Sequence, residues 1–143
     1  MTRNANAPLG PQVLDLDYDR EIELVCSRLK EILSRDLSRR GLVVAISGGI
    51  DSSVCAALAV RAVGRERVFG LLLPERDSSG ASSKLGRALA EHLGIEHTLH
   101  DISATLEAIG CYAAQDEVLH RVIPGFDKHW KFKLALTEAM SGR

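Results

Sequence analysis

A short segment rich in serine and glycine, residues 47–53, carries the residue types best suited to chemistry in this chain. It lies between a predicted strand and a predicted helix and consists of Ser47, Gly48, Gly49, Ile50, Asp51, Ser52 and Ser53. Glycines let a backbone turn sharply and approach an anion, because they carry no Cβ. The N–H groups of the first helical turn then point at that anion. We call residues 47–53 the glycine turn, and we predict that it binds phosphate or pyrophosphate.

Asp51 is the unexpected member of this segment, because a carboxylate repels phosphate. A Mg²⁺ ion between the two removes the conflict, since it binds one or two carboxylates together with phosphate oxygens. Asp51 is therefore predicted to be a metal ligand. The alternative interpretation is that Asp51 only caps the following helix.

Other nucleotide-binding and catalytic motifs fit the glycine turn less well. A Walker loop requires a lysine after its glycines, and none follows here. The dinucleotide fingerprint GxGxxG is absent. A hydrolase nucleophile elbow requires GxSxG, but Ala45 stands where the first glycine belongs. Because no acid–histidine pair is recognisable for Ser47, a serine hydrolase is the weaker alternative.

The elements around the glycine turn alternate between strand and helix, which predicts an α/β fold with a parallel sheet. Apolar runs predict strands over 42–46, 68–73 and 95–99, and the first is expected to be buried on both faces. Helices are predicted over 17–39, 52–63 and 84–93, with Gly41 ending the first and residues 75–83 forming a loop. Shorter helical segments are predicted over 103–110 and 112–122, and a short further segment follows over 130–140. Three strands are few, so one sheet edge is expected to need another chain or further residues.

Composition points to one soluble domain in a chain of 143 residues, 45% hydrophobic and 26% charged. The net charge of −1 argues against general attraction to nucleic acid or membrane. Residues 1–14 are predicted to be a flexible polar arm without a hydrophobic signal core, on a cytoplasmic protein. The three cysteines show no CxxC pairing and are expected to be small buried residues. Arg39 and Arg40 suit the negative end of the first helix.

The pattern SGGxDS in the glycine turn resembles the pyrophosphate loop of the ATP pyrophosphatase superfamily, which is adenine nucleotide α-hydrolase-like. Three further stretches sharpen the resemblance: residues 15–18 (DLDY), 71–79 (LLLPERDSS) and 88–95 (ALAEHLGI). Together they resemble the NAD synthetase family over roughly residues 13 to 133. The resemblance implies a Rossmann-like, three-layer fold with helices flanking a parallel sheet. Residues 15–143 are interpreted as the ATP-binding domain.

The resemblance also implies site residues and a reaction. The pyrophosphate site for ATP in this family matches Ser47, Gly48, Gly49, Asp51 and Ser52, and Ile50 and Ser53 are assigned to the same site. Asp51 matches the residue that binds Mg²⁺. The loop 73–79 lies where the family holds adenosine, and Arg76 there is predicted to contact nucleotide phosphate, with a solvated surface arginine as the alternative. The implied reaction makes NAD from deamido-NAD, ammonia and ATP through an adenylated intermediate, releasing AMP and pyrophosphate.

Family members form dimers, so the resemblance implies a homodimer, whereas the charge balance predicts no nucleic-acid or membrane partner. The family's catalytic domain is longer and carries a later segment with an acidic residue and a lysine, which is not recognisable before Arg143. The chain is therefore expected to be the first part of an incomplete fold. Two alternatives stay open: another adenylating amidotransferase of the same superfamily, or a nucleotide-binding half-domain without catalysis.

Overall fold

The structure, a computed structural model, describes residues 10, 15–123, 125–127 and 130. They divide into two compact units, one up to Ile102 and one from Ser103 onward, which are described separately. Most of the predicted arm 1–14 and of the predicted segment 130–140 lies outside the described residues.

The first unit is built on a three-stranded parallel sheet. Its strands are β1 (Leu42–Ala45), β2 (Val68–Leu72) and β3 (Glu96–Leu99), in the spatial order β1-β2-β3. Helices α1 (Tyr18–Glu31), α2 (Ile50–Val63) and α3 (Gly80–Leu93) flank the sheet. This confirms the predicted α/β class. Parallel neighbours need long crossovers, and α2 and α3 supply them.

The core of this unit lies between the sheet and the two crossover helices. Right-handed crossovers to successive neighbours place α2 and α3 on the same face of the sheet. The buried cluster draws on both helices and on the strands: Ile46, Ala56, Ala59, Val68, Leu72, Ala90 and Ile95. Alanines on the inner faces of the helices let each backbone approach the sheet closely, which fixes where α2 begins and so positions the glycine turn.

The expectation that the first strand is buried on both faces is wrong. Side chains of β1 alternate between half-buried and exposed, and Val43 is 67% exposed. Within the described residues β1 pairs with β2 alone, and its outward side chains lie on the face opposite α2 and α3. An apolar run therefore indicates a strand without showing how many of its faces are covered.

The first helix is shorter than predicted. It begins where expected, because the Asp17 carboxylate accepts a hydrogen bond from the Arg20 N–H at 3.1 Å. It then continues as a π-helical turn, Ile32–Asp36, and does not reach Gly41. Ser38 ends it by adopting a left-handed conformation, with φ of 50°. The Arg39 N–H then donates to the Leu33 carbonyl at 2.7 Å, a bond that closes the helix end.

The other helix starts also differ from the prediction. α2 begins two residues earlier, at Ile50, and α3 begins at Gly80 instead of Lys84. The Ser79 side chain caps α3 by accepting from the Ser82 N–H at 3.1 Å. Small polar residues favour loops and helix starts alike, so composition placed this boundary too late. α3 ends at Leu93, the predicted last residue, and Gly94 follows it in a left-handed conformation.

The second unit contains two described helices, α4 (Ser103–Ala108) and α5 (Cys111–Val122). Gly110 separates them with φ of 76°, and Tyr112 is buried. The prediction of three buried cysteines holds for Cys26 alone, since Cys55 and Cys111 are exposed. In the described part of the chain, no helix has the length and apolar character needed to cross a membrane.

An ion pair joins α1 to α2, with the Arg61 guanidinium 2.7 Å from a Glu23 carboxylate oxygen. The hydrogen bond and charge of Arg61 hold the pKa of Glu23 below its ordinary value. A carboxyl whose pKa is lower in the folded state than in the unfolded state stabilises the fold at pH values above its ordinary pKa. This stabilisation is lost as the pH falls through the pKa of the folded state. We expect Glu23→Gln to remove a small part of the acid sensitivity below about pH 4.5. Urea unfolding at pH 3 to 7 measures it, and an unchanged pH dependence would contradict the assignment.

Candidate functional site

The glycine turn lies at the carboxyl end of β1, at the edge of a cavity of about 320 Å³. Open α/β sheets bind ligands at this end of their strands. The cavity is bounded by the last residues of β1 and β2, by Ser47, and by the first turn of α3. Its other lining residues include Leu73, Pro74, Ser78, Ser82 and Ser83. The first turn of α3 therefore lines this polar-rimmed cavity, and the glycine turn reaches it through Ser47.

Hydrogen bonds between two serines hold the shape of the glycine turn. The Ser52 hydroxyl accepts from the Ser47 N–H at 3.2 Å and lies 3.1 Å from the Ser47 hydroxyl. The Ser47 hydroxyl in turn accepts from the Gly49 N–H at 3.3 Å. These contacts tie both ends of the turn together, so its backbone is organised before any ligand arrives.

The backbone N–H groups at the start of α2 are available to an anion. Gly49 is the N-cap, and the first helical bond runs from the Ser53 N–H to the Gly49 carbonyl at 3.2 Å. The amides of Ile50, Asp51 and Ser52 therefore precede that bond and have no intrahelical acceptor. Hydroxyls of Ser52 and Ser53 also donate to the Gly49 carbonyl, at 3.0 and 2.8 Å. This carbonyl therefore points along the helix, away from an anion at its N-terminus.

Gly48 is the position in the turn that requires glycine. Its φ is 81°, a left-handed conformation that other residues rarely adopt. A Cβ at Gly48 would lie 2.3 Å from the backbone carbonyl oxygen of Ser82 in α3. Gly49 has an extended backbone, and its Cβ would meet nothing closer than the Ser47 hydroxyl at 3.4 Å. The two glycines therefore have different roles: Gly48 lets α3 pack against the turn, and Gly49 starts the helix.

Asp51 lies in the first turn of α2 with an exposed side chain. The alternative that it caps the helix is wrong, because Gly49 occupies the N-cap position. Among the described residues no hydrogen bond or ion pair engages its carboxylate. The described residues also contain no cluster of three metal-binding side chains. A single free carboxylate beside an anion site fits Mg²⁺, which takes few protein ligands when phosphate oxygens complete its coordination.

Arg76 lies outside the lining of this cavity. Its guanidinium is 3.4 Å from the Asp77 carboxylate, in the loop between β2 and α3. That loop is braced by Ser78, whose hydroxyl accepts from the Glu75 N–H at 3.0 Å. The structure thus brings Ser47 and Ser78 to one cavity and leaves Arg76 beside it.

Ser82 and Ser83 are site residues that sequence reasoning missed. Both line the cavity from the first turn of α3. The signal was present in the run Ser78-Ser79-Gly80-Ala81-Ser82-Ser83, which combines a cap residue with a helix start. Because that run was predicted to be a loop, the N-terminus of α3 was not predicted at this position.

Curated relatives of this chain share one description, NH(3)-dependent NAD(+) synthetase. The protein from Mesorhizobium japonicum is 47% identical over 124 residues, which cover 87% of this chain and 39% of the relative. The protein from Rhizobium meliloti is 43% identical over 129 residues, covering 90% and 38%. The chain therefore spans about two fifths of the length of these relatives.

Solved structures agree with the fold. The NH3-dependent NAD synthetase from Campylobacter jejuni, in complex with the nitrate ion, is similar with a TM-score of 0.63 and 27% identity. The match covers 75% of this chain and 48% of that one. An NMN synthetase from Francisella tularensis also gives a TM-score of 0.63, with 28% identity over 71% of this chain and 41% of the other.

The match to a family model covers most of the chain. Residues 21–123 match the model described as NAD synthase. This range includes the glycine turn, all three strands of the sheet and both described helices of the second unit through Val122. The chain therefore belongs to the NAD synthase family.

Proposed function

We propose that this chain contributes the ATP-binding part of an ATP-dependent amide ligase that makes NAD from deamido-NAD and ammonia. The observation that carries the proposal is the glycine turn, with free amides at the start of α2, beside a cavity at the carboxyl ends of β1 and β2. Family membership and relatives described as NH(3)-dependent NAD(+) synthetases support the reaction.

In this proposal the amides of residues 50–52 hold the β- and γ-phosphates of ATP. The helix directs these N–H groups at an anion, and the helix dipole strengthens their attraction to it. The Ser47 hydroxyl and the first turn of α3 face the same cavity and contact the nucleotide from the other side. The volume of about 320 Å³ accommodates part of a nucleotide and leaves the rest toward solvent.

The chemistry follows from the poor reactivity of a carboxylate. The carboxylate of deamido-NAD attacks the α-phosphorus of ATP, and the bond to the bridging oxygen of pyrophosphate breaks. Ammonia then attacks the acyl carbon, AMP leaves, and a proton from nitrogen passes to solvent. The glycine turn lowers the barrier of the first step by binding the negative charge that accumulates on pyrophosphate.

Asp51 is proposed to hold Mg²⁺ together with phosphate oxygens. The fit rests on its exposed carboxylate, which carries no other partner among the described residues, at the start of α2. A bound Mg²⁺ would neutralise phosphate charge. Arg76 is proposed as a neighbouring phosphate contact, supported by its place in the loop after β2.

The resemblance adds two further proposals, a homodimer and a cytoplasmic location. Sedimentation of the purified chain at several concentrations tests the first. Fluorescence of the tagged protein in cells tests the second.

The reaction itself is tested by incubating the chain with Mg-ATP, deamido-NAD and ammonia and separating the nucleotides. We expect Mg-ATP to bind; where the chain also catalyses the reaction, AMP and NAD form in equal amounts and omission of ammonia stops NAD formation. ATP binding without AMP release would show that the described chain binds nucleotide without catalysing the reaction. AMP release that needs neither deamido-NAD nor ammonia would contradict the proposed substrates.

A further inference from the structure

A second cavity, of about 350 Å³, lies at the opposite end of the strands from the glycine turn. It opens where the helical segment 18–36 ends, where α2 ends and where β2 begins. Its floor is apolar and includes Leu33 and Ala62, which are both buried. Four cationic side chains line it, and we call this site the basic cleft: Lys30, Arg39, Arg40 and Arg67.

No acidic side chain among the described residues lines the basic cleft. Three carboxylates lie close to it in sequence, those of Glu31, Asp36 and Glu66, and two of them are already paired elsewhere. Glu31 binds Arg28 at 2.6 Å and Arg35 at 3.0 Å, and Glu66 binds Arg65 at 3.1 Å. Within the described part of the chain, no hydrogen bond or ion pair joins the guanidinium groups of the cleft to an acid. The cleft therefore concentrates positive charge in a chain whose net charge is −1.

Neutralisation of helix ends does not account for this charge. The helical segment 18–36 and α2 both end at the cleft, and each end carries about half a negative charge. Together they amount to roughly one negative charge, against four cationic side chains. Asp36, the last residue of the segment 18–36, adds one more negative charge, so a surplus of about two positive charges remains, which is enough for a multiply charged anion.

The backbone holds the arginine pair in place. Ser38 adopts a left-handed conformation, and the Arg39 N–H bonds back to the Leu33 carbonyl at 2.7 Å. The backbone of Arg39 is thus tied to Leu33, which lies in the floor of the cleft. A backbone held in this way loses less conformational entropy on binding than a free loop.

We propose that the basic cleft binds a compact anion with two or more phosphate groups. Guanidinium groups bind phosphate through paired hydrogen bonds, and three arginines line this cleft. The cavity volume lies in the range of small-molecule sites. The ligand is either inorganic polyphosphate or the phosphate chain of a nucleotide. This site is separate from the glycine turn and independent of the proposed ATP reaction.

Arginine footprinting tests the proposal residue by residue. The chain is treated with phenylglyoxal, with and without inorganic triphosphate or ATP, and modified arginines are read by mass spectrometry. At a concentration about twice the Kd, the free fraction falls to about a third, so modification of Arg39, Arg40 and Arg67 should slow roughly threefold. Arg35 and Arg121, which are paired with acids on their own helical segments, should not change.

The comparison between inorganic triphosphate and ATP distinguishes the two possible ligands. Stronger protection by triphosphate identifies a polyphosphate site, and stronger protection by ATP identifies a nucleotide site. Sodium sulfate at the same ionic strength controls for general screening. Equal protection by sulfate, or no protection of the three cleft arginines, would overturn the proposal.

Matched double variants provide the second test. Arg39→Gln with Arg40→Gln should weaken triphosphate binding by at least about tenfold, because two charge-assisted contacts are lost. Arg20→Gln with Arg87→Gln removes the same charge at two exposed positions outside the cleft and should change binding little. Equal losses in both double variants would show that only net charge matters and would reject a defined site. Protection of the cleft persists if the glycine turn fails to bind ATP, so the two proposals fail separately.

Discussion

Replacing Gly48 by alanine is expected to lower the free energy of unfolding by about 3 kcal/mol. The left-handed conformation costs a residue with a Cβ roughly 1–2 kcal/mol, and forcing atoms into a packed site costs a further 1–3 kcal/mol. The added Cβ would lie 2.3 Å from a backbone oxygen of Ser82, so α3 must move away from the glycine turn. Urea denaturation followed by circular dichroism measures the loss.

Gly49→Ala is the matched control, one residue away. Its backbone is extended and its Cβ would meet only the Ser47 hydroxyl, at 3.4 Å. Alanine is a poorer N-cap than glycine, so we expect a loss of about 1 kcal/mol or less. Similar losses in the two variants would contradict the different roles assigned to the two glycines.

Asp51→Asn is expected to weaken the binding of Mg-ATP by roughly tenfold or more, since the metal loses its charged protein ligand. Without Mg²⁺ the effect on ATP affinity should disappear or reverse, so that the variant binds ATP as tightly as the wild type or more tightly. The reason is that the carboxylate then only repels phosphate. Stability should fall by less than about 1 kcal/mol, from the lost interaction with the dipole of α2. Calorimetric titrations with Mg²⁺ and with a chelator measure both affinities.

Asp19→Asn is the control for this variant. Asp19 is also an exposed aspartate in the first turn of a helix, α1, outside the glycine turn and its cavity. Its replacement removes the same charge from an equivalent helix position and should leave ATP affinity unchanged with and without Mg²⁺. If Asp51→Asn behaves like this control, the assignment of Asp51 as metal ligand is wrong.

Local sequence signals were sufficient for the order of elements and for the position of the glycine turn. The apolar run at 42–46, followed at once by two glycines and small polar residues, encodes a strand, a turn and a helix start within a dozen residues. The left-handed Gly94 at the end of α3 is a signal of the same kind. These features depend on residues that are adjacent in the chain, so they can be predicted from a single sequence.

Features that depend on distant residues could not be predicted. The need for glycine at position 48 arises from Ser82, 34 positions later, and the basic cleft joins Arg39 and Arg40 to Arg67. The exposure of Val43 depends on which strands and helices cover β1, and its own side chain does not determine that. Serine-rich starts such as that of α3 were placed late because serine favours loops and helix caps equally.

ATP phosphates are proposed to bind at the glycine turn, and amide spectra of the ¹⁵N-labelled chain during a titration with Mg-ATP test this most directly. We expect the amide signals of residues 50–52 and of Ser82 and Ser83 to shift together and to saturate along one binding curve. Those shifts should be lost in Asp51→Asn at the same Mg-ATP concentration and kept in Asp19→Asn. Saturable binding of ATP that leaves the signals of residues 47–53 unmoved would contradict the account.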